Sequence, residues 1–258
     1  MRVTVCELDN DPSKFAGQWT ALAEHTRSEK SEVILLPEMP FHPWLPSTRN
    51  VNPQAWQASI DAHDRWMARL PELGAEIVIA TRPTVRDGRR FNQGFVWDAA
   101  TGVRAAHEKR YLPDEEGFWE ASWYARGSGA FTTVPVGRGT LGFAICTDLW
   151  FTEHARAYGK QGAHVIVCPR ATPASTVEKW IAGGRVAAVV SGAYCLSSNF
   201  SGRNEQHGTW GGTGWIIEPE EGRVLGTTSV ETPFLTLEID PSAADRAKNT
   251  YPRYVDDS

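Results

Sequence analysis

The 258-residue chain has few cysteines, no basic excess and no long hydrophobic run. Its four cysteines include no CxxC pair, which excludes a zinc ribbon and a dithiol redox motif, and four are too few for a disulfide scaffold. A formal net charge of −5 provides no basic face for nucleic acid. The longest near-apolar run, residues 186–196, is far shorter than the ~18 residues that span a membrane. With no signal-peptide pattern in MRVTVCELDND, we expect a cytoplasmic protein without nucleic-acid or membrane partners.

Several cofactor and metal motifs are also missing. The sequence contains no Walker loop, no GxSxG and no pair of histidines with metal-ligand spacing. Residues 137–142 match GxGxxG, but they lead into a predicted strand instead of the helix whose N-terminus would bind phosphate. We therefore expect neither a cofactor nor a metal.

Short β-branched runs alternate with longer helical stretches, and no repeat or linker interrupts them, so we expect one domain over residues 1–258. The strands fall into two groups, with helices in both parts of the chain. This favours two sheets packed face to face with helices outside, a four-layer α-β-β-α sandwich. Helices are predicted at 12–30, 53–70, 152–161 and 175–189, and strands at 3–8, 32–36, 76–81, 91–98, 102–109, 131–136, 141–146, 165–168, 215–218, 224–228 and 234–239.

Cys146 is the first candidate for catalysis. It ends an apolar strand, and the Thr147-Asp148 pair that follows could cap a helix. A thiol at a strand end that faces a helix N-terminus lies in a positive field, which lowers its pKa and favours the nucleophilic thiolate. The alternative is a buried, inert core cysteine, and we give that interpretation to the other three cysteines.

Two charged residues close other predicted strands. Glu38 follows residues 33–37 and Lys109 follows residues 105–108. A carboxylate can act as a general base, and an ammonium can stabilise an oxyanion. Each charge taken alone is also typical of a solvated strand end. None of the seven histidines stands out as another base.

Together, these three residues lie in segments that resemble the nitrilase superfamily of carbon–nitrogen hydrolases. The segments are LPEMPFHPW around Glu38, EKRYLPDEEGFWEASWYARG around Lys109 and GFAICTDLWFTEHAR around Cys146. They follow the family's order Glu, Lys, Cys. Similar segments at 162–169, 197–199 and 211–226 extend the resemblance over nearly the whole chain.

The resemblance implies the α-β-β-α sandwich and a homodimer or larger homo-oligomer, with a C-terminal tail, residues 241–258, in the interface. It also implies a catalytic role for each motif residue. Cys146 would attack a carbonyl carbon, Lys109 and the backbone N–H of Thr147 would hold the oxyanion, and Glu38 would move the protons. A second glutamate follows the lysine in amide-cleaving members. The EEGFWEASWY string places it at Glu120, with Glu116 as the next candidate.

Two departures from the family pattern concern the substrate. Thr147 stands where an aromatic residue is common, and Trp150 stands where carbamoyl-amino-acid hydrolases place an arginine for a substrate carboxylate. Aromatic residues near the motifs predict an aromatic-walled pocket for an apolar or weakly polar acyl group. The candidates are Phe41, Trp44, Trp119, Trp123 and Trp150, with Arg170 as a possible cation. Alternatively, most of these tryptophans fill the space between layers.

The sequence thus predicts a hydrolase that converts a small amide to a carboxylic acid and ammonia through a cysteine thioester. Hydrolysis of an N-carbamoyl amine is the second hypothesis, supported by the segment around Glu120. Nitrile hydrolysis is the third, although nitrile-cleaving members tend to have a tryptophan-containing context directly after the nucleophile. A non-catalytic binding relative is a further alternative, but it would need no reactive thiol.

Overall fold

The computed structural model describes residues 1–204 and 208–256. The strands are β1 (Arg2–Asp9), β2 (Val33–Leu35), β3 (Ile77–Arg86), β4 (Arg89–Asp98), β5 (Gly102–Glu108), β6 (Val134–Val136), β7 (Gly139–Phe143), β8 (Val165–Pro169), β9 (Tyr194–Ser201), β10 (Arg203–Asn204), β11 (Gly208–Thr209), β12 (Trp215–Ile217), β13 (Val224–Thr227) and β14 (Phe234–Glu238). The helices are α1 (Pro12–Ser28), α2 (Pro53–Met67), α3 (Glu120–Trp123), α4 (Thr152–Lys160), α5 (Val177–Ser191) and α6 (Pro241–Ala247).

All strands except the short pair β10 and β11 form two sheets. The first has the order β14-β1-β2-β3-β4-β5, in which β1, β2 and β3 are parallel. The second has the order β13-β12-β9-β8-β7-β6, in which β7, β8 and β9 are parallel. The last residues of β1 also pair with the last residues of β9, so the two sheets are joined at this corner.

One hydrophobic core lies between the two sheets. Val33 and Leu35 of β2 point into it, together with Phe143 of β7 and Val167 of β8. Ile34 alternates to the outer face of the first sheet, as the period of two in a strand requires, and packs there with residues of α1. Helices α4 and α5 cover the outer face of the second sheet. The α-β-β-α sandwich predicted from the sequence is confirmed.

The first two helices begin where the sequence predicts. The side chain of Asp11 accepts a hydrogen bond from the N–H of Ser13, and Asn52 caps α2 in the same way. Pro12 and Pro53 occupy the first helical positions. An N–H at this position would have no partner within the helix, so the lack of one in proline removes no hydrogen bond. These short-range signals work because each helix start is decided by three or four neighbouring residues.

Strand β9 was not delimited from the sequence, although it lies between β8 and β12 in the second sheet. Three consecutive polar residues, Ser197, Ser198 and Asn199, interrupt its apolar pattern and yet are fully buried. Their side chains are satisfied by hydrogen bonds to neighbouring segments, such as Ser198 Oγ to the carbonyl of Leu35 at 2.6 Å. A second difference is that β7 ends at Phe143, before Cys146.

The C-terminal tail continues from β14 through α6 into a series of turns. Tyr251 and Tyr254 are exposed there. Residues 257–258 of the predicted tail lie outside the described part of the chain.

Within the described residues, no helix combines the length and hydropathy needed to cross a membrane.

Candidate active site

Three of the residues singled out from the sequence meet in one buried ion-pair group. Lys109, directly after β5, places its Nζ 2.7 Å from Oε1 of Glu38, in the segment after β2. The same ammonium lies 2.7 Å from Oε1 and 2.6 Å from Oε2 of Glu120, the first residue of α3. All three side chains are almost completely buried. Glu120, and not the exposed Glu116, is the second glutamate that contacts the lysine.

Asn92 on β4 belongs to the same group, although the sequence analysis did not identify it. Its Nδ2 donates to Glu38 Oε1 at 2.7 Å, and its backbone carbonyl accepts the backbone N–H of Lys109 at 2.9 Å. The available signal was a pair of amides, Asn92 and Gln93, inside the otherwise apolar strand segment Phe91–Trp97. Lys109 and Asn92 therefore both donate to Glu38 Oε1. Within the described residues, Glu38 Oε2 has no hydrogen-bond partner.

The two carboxylates share a single ammonium, and this sets the charges of the group. Burial raises the pKa of Glu120 to about 8, with Lys109 acting against this shift and Glu38 adding to it. Burial lowers the pKa of Lys109, but Glu120 and Glu38 more than compensate, so its pKa lies well above the usual range. The two carboxylates therefore favour the charged form of Lys109, whereas burial and the neighbouring Glu38 favour the protonated form of Glu120.

Cys146 begins a 3₁₀ turn, Cys146–Trp150, with a backbone φ of +46°. A left-handed φ in a residue with a Cβ costs about 1–3 kcal/mol and marks a position where the backbone is held for function. Burial and the Glu38 carboxylate raise the pKa of the thiol, whereas Lys109 and the backbone N–H of Ala171 act to lower it. The predicted lowering by a helix N-terminus is wrong, because α4 begins only at Thr152 and the thiol is buried.

Asp148 does not cap the helix either. Its Oδ1 accepts the backbone N–H groups of Arg110 at 3.1 Å and Tyr111 at 2.9 Å. Its Oδ2 lies 3.0 Å from Nε2 of His107. The buried carboxylate therefore joins the turn after Cys146 to the end of β5.

A cavity of about 400 Å³ opens beside these groups. Glu120, Cys146 and Thr147 line it, together with Ala171. Its aromatic surface comes from Phe118, Trp150 and Trp180, and charged side chains come from Asp114, Glu115 and Lys179. The remaining lining residues are Pro113, Thr172, Pro173 and Thr176.

Four of the five aromatic residues predicted for the pocket wall lie elsewhere. Phe41 packs in the core under α1, and Trp123 packs in a separate cluster with Met39. Trp44 donates from Nε1 to the carbonyl of Gly117 at 3.1 Å, and Trp119 lies under the guanidinium of Arg49. Trp150 alone of the five lines the cavity. Phe41, Trp44 and Trp123 are buried in apolar clusters, where a large aromatic side chain gains most from burial, whereas Trp119 is only partly buried.

Arg170 is fully buried and does not line the cavity. Its guanidinium donates to Ser197 Oγ at 2.7 Å, to Thr172 Oγ1 at 2.7 Å and to the carbonyl of Thr213 at 2.9 Å, and it lies over the ring of Trp215. Burial lowers its pKa to about 10. Its donors therefore hold β8, β9 and the loop before β12 together.

In the described part of the chain, no group of three or more His, Cys, Asp or Glu residues is placed to hold a metal ion.

Sequence comparison decides the family. The sequence model of the carbon–nitrogen hydrolases matches residues 2–249. The chain belongs to the carbon–nitrogen hydrolase family. This hydrolase is 25% identical over 263 residues to a hydrolase of Schizosaccharomyces pombe, covering 98% of this chain and 81% of the relative. It is also 31% identical over 100 residues to the N-carbamoylputrescine amidase of Solanum tuberosum, covering 39% of this chain and 33% of that enzyme.

Solved structures share the fold of this hydrolase. A carbon–nitrogen hydrolase from Helicobacter pylori G27 superposes with a TM-score of 0.87 at 19% identity, over 98% of this chain and 94% of the other. A variant of an amidase from Nesterenkonia sp. AN1 superposes with a TM-score of 0.78 at 20% identity, over 95% of each chain. In that amidase structure, acrylamide has added to the active-site cysteine.

Proposed function

We propose that this hydrolase converts a small primary amide to a carboxylic acid and ammonia through a thioester on Cys146. The observation that carries the proposal is the arrangement around Glu38. One oxygen is held by Lys109 and Asn92, and Oε2 is left as a proton acceptor. A glutamate side chain with one free oxygen, at the same site as a thiol and an ammonium, suits acid–base catalysis of acyl transfer.

In the first half of the reaction, Glu38 takes the thiol proton while the sulfur attacks the carbonyl carbon of the amide. Because the pKa of Cys146 is raised, removal of the proton accompanies the attack and no thiolate is stored beforehand. The resulting oxyanion is stabilised by the Lys109 ammonium and the backbone N–H of Thr147. Glu38 then gives its proton to the nitrogen, the C–N bond breaks and ammonia leaves.

In the second half, Glu38 takes a proton from water, and the hydroxide oxygen attacks the thioester carbon. The same two groups stabilise the second oxyanion. When the C–S bond breaks, Cys146 recovers a proton and the carboxylic acid is released. Glu120, whose pKa is raised by burial, accepts a hydrogen bond from Lys109, so it positions the ammonium and can contact the substrate nitrogen.

Hydrolysis of an N-carbamoyl amine is the second candidate. Asp114 and Glu115 line the cavity, and their carboxylates suit the free ammonium of a carbamoylated diamine. The similarity to N-carbamoylputrescine amidase over 100 residues supports the same class. Lys179 in the same cavity and the ion pair between Asp114 and Arg49 at 3.5 Å reduce the negative charge there. We therefore rank simple amides first.

The test is ammonia release from propionamide, benzamide, an N-carbamoyl amine and the matching nitriles. Release from the simple amides, lost in Cys146→Ala, is the expected result. Cys146→Ala should keep the unfolding temperature close to that of the wild type, because it replaces a small buried side chain with one slightly smaller. Release from the carbamoyl compound alone would favour the second candidate, and full activity of the alanine variant would contradict the mechanism.

The proposal extends to a homo-oligomer formed through the tail at residues 241–258. Tyr251 is 72% exposed and Tyr254 is 65% exposed, and Val255 beside them is 45% exposed. Aromatic residues of this exposure are enriched where two chains meet. Light scattering of the whole chain and of a Tyr251→Ser, Tyr254→Ser variant tests this: a monomeric wild type would contradict it.

A further inference from the structure

Trp150 is the most exposed of the three aromatic side chains that line the cavity. It closes the 3₁₀ turn that begins at Cys146, and 38% of its surface is exposed. Trp150 and Cys146, four residues apart in this turn, line the same cavity. The ring packs on Trp180, with 4.9 Å between ring centroids and 49° between planes.

Gly183 on α5 provides the space behind this indole. A Cβ added at Gly183 would lie 3.0 Å from Cζ3 and 3.2 Å from Cη2 of Trp150. Contacts of this length are tighter than nine in ten real Cβ contacts, so a Cβ at residue 183 would require the indole to shift by a few tenths of an ångström. The position of Trp150 therefore depends on the absence of a side chain on the neighbouring helix.

We propose that Trp150, supported by Trp180 and Gly183, is the specificity-determining residue of this hydrolase and selects amides whose acyl group ends in an aromatic ring. This inference rests on the proposed amidase function. The deep end of the site is closed by Glu38, Lys109 and Glu120, so the acyl substituent extends toward the cavity. There it meets the indole of Trp150, whose position is held by Trp180 and by the close approach to Gly183.

The chemistry favours a ring over a saturated chain of the same size. An aromatic acyl group can stack on the exposed indole or meet its edge, which contributes beyond the burial of apolar area. A rigid ring also loses less conformational freedom on binding than an alkyl chain does. The charges of Lys179 and Glu115 lie in the same cavity, and a neutral acyl group requires neither of them.

The experiment compares kcat/KM for 3-phenylpropanamide with kcat/KM for 3-cyclohexylpropanamide. The wild type should prefer the aromatic amide by roughly three- to tenfold, the range expected for one aromatic contact. Trp150→Phe should keep a preference, whereas Trp150→Leu should bring the ratio close to one. Equal ratios in the wild type and Trp150→Leu would overturn the inference.

Gly183→Ala provides an independent variant in which Trp150 is still present. The added methyl should shift the indole by a few tenths of an ångström, raise KM for 3-phenylpropanamide and change KM for propionamide less. Gly17→Ala is the matched control, because nothing lies within 4 Å of a Cβ at that helical position. If Gly183→Ala behaves like Gly17→Ala, the support from α5 is absent and the inference fails.

The two levels of failure are distinguishable. If the wild type releases no ammonia from any amide of the series, the proposed function fails and the inference with it. If it hydrolyses propionamide and both ring compounds without an aromatic preference, the amidase function stands and only the role of Trp150 is overturned.

Discussion

Nε2 of His107 lies 3.0 Å from Oδ2 of Asp148, and this contact joins β5 to the turn that begins at the nucleophile. His107 is two residues before Lys109, and Asp148 is two residues after Cys146. The other oxygen of Asp148 accepts the N–H groups of the two residues that follow Lys109. One buried carboxylate therefore fixes the position of the ammonium relative to the thiol.

Asp148→Asn should lower kcat by ~10²-fold with a smaller change in KM. The amide keeps the shape of the side chain, but one of its two acceptors becomes a donor, and a displacement of about 1 Å between reacting groups has an effect of this size. Steady-state kinetics normalised to the titrated thiol will check it. His107→Gln, which can still donate to Asp148, should retain more activity than His107→Leu. Equal activity in these two variants would contradict the positioning role.

Asn92→Leu should reduce kcat more than it changes KM. Asn92 Nδ2 donates to Glu38 Oε1 at 2.7 Å, and together with Lys109 it holds that oxygen, so that Oε2 is left as the acceptor. Without the amide, Lys109 alone orients the carboxylate, and a displacement of a reacting group lowers the rate of the chemical step. The measurement is steady-state kcat and KM of the wild type and of Asn92→Leu with propionamide. An unchanged kcat would show that Asn92 does not position Glu38.

Glu120 should make the folded protein less stable as the pH rises. The pKa of Glu120 is raised from 4.5 to about 8 in the folded chain. Between these values the folded protein keeps a proton that the unfolded chain releases. This contribution is complete below pH 4.5 and is lost as the pH rises through 8, with a slope of up to ~1.4 kcal/mol per pH unit. Urea unfolding at pH 5 and pH 8 should show a smaller pH-dependent loss for Glu120→Gln than for the wild type.

Arg170→Lys should lower the free energy of unfolding by ~2–4 kcal/mol. A lysine ammonium cannot reach Ser197 Oγ, Thr172 Oγ1 and the carbonyl of Thr213 together, so buried acceptors lose their donors. Because Arg170 does not line the cavity, the ratio of kcat/KM for neutral and acidic amides should stay constant. Urea unfolding measures the loss of stability. Values of kcat/KM for one neutral and one acidic amide measure the ratio. A selective loss for the acidic amide would mean that Arg170 contacts substrate.

The local features of this protein were determined by the sequence. The starts of α1 and α2 follow from Asp11 and Asn52 before prolines, because capping involves only neighbouring residues. The alternation of apolar residues predicted most strands and, with them, the sandwich. Glu38, Lys109 and Cys146 lie in segments with a distinctive order, so they could be selected as one group before any distance was known.

Only the tertiary structure decided which distant residues share that site. Asn92 reaches Glu38 because β3 pairs with β4 on one side and with β2, the strand before Glu38, on the other. No short-range pattern encodes these pairings. Sequence likewise could not separate Trp150 in the cavity from Trp123 in the core, since both are tryptophans near a motif. The exposure of a large side chain depends on everything packed around it. Gly183, 33 positions from Trp150 along the chain, provides the space that holds the indole at the cavity.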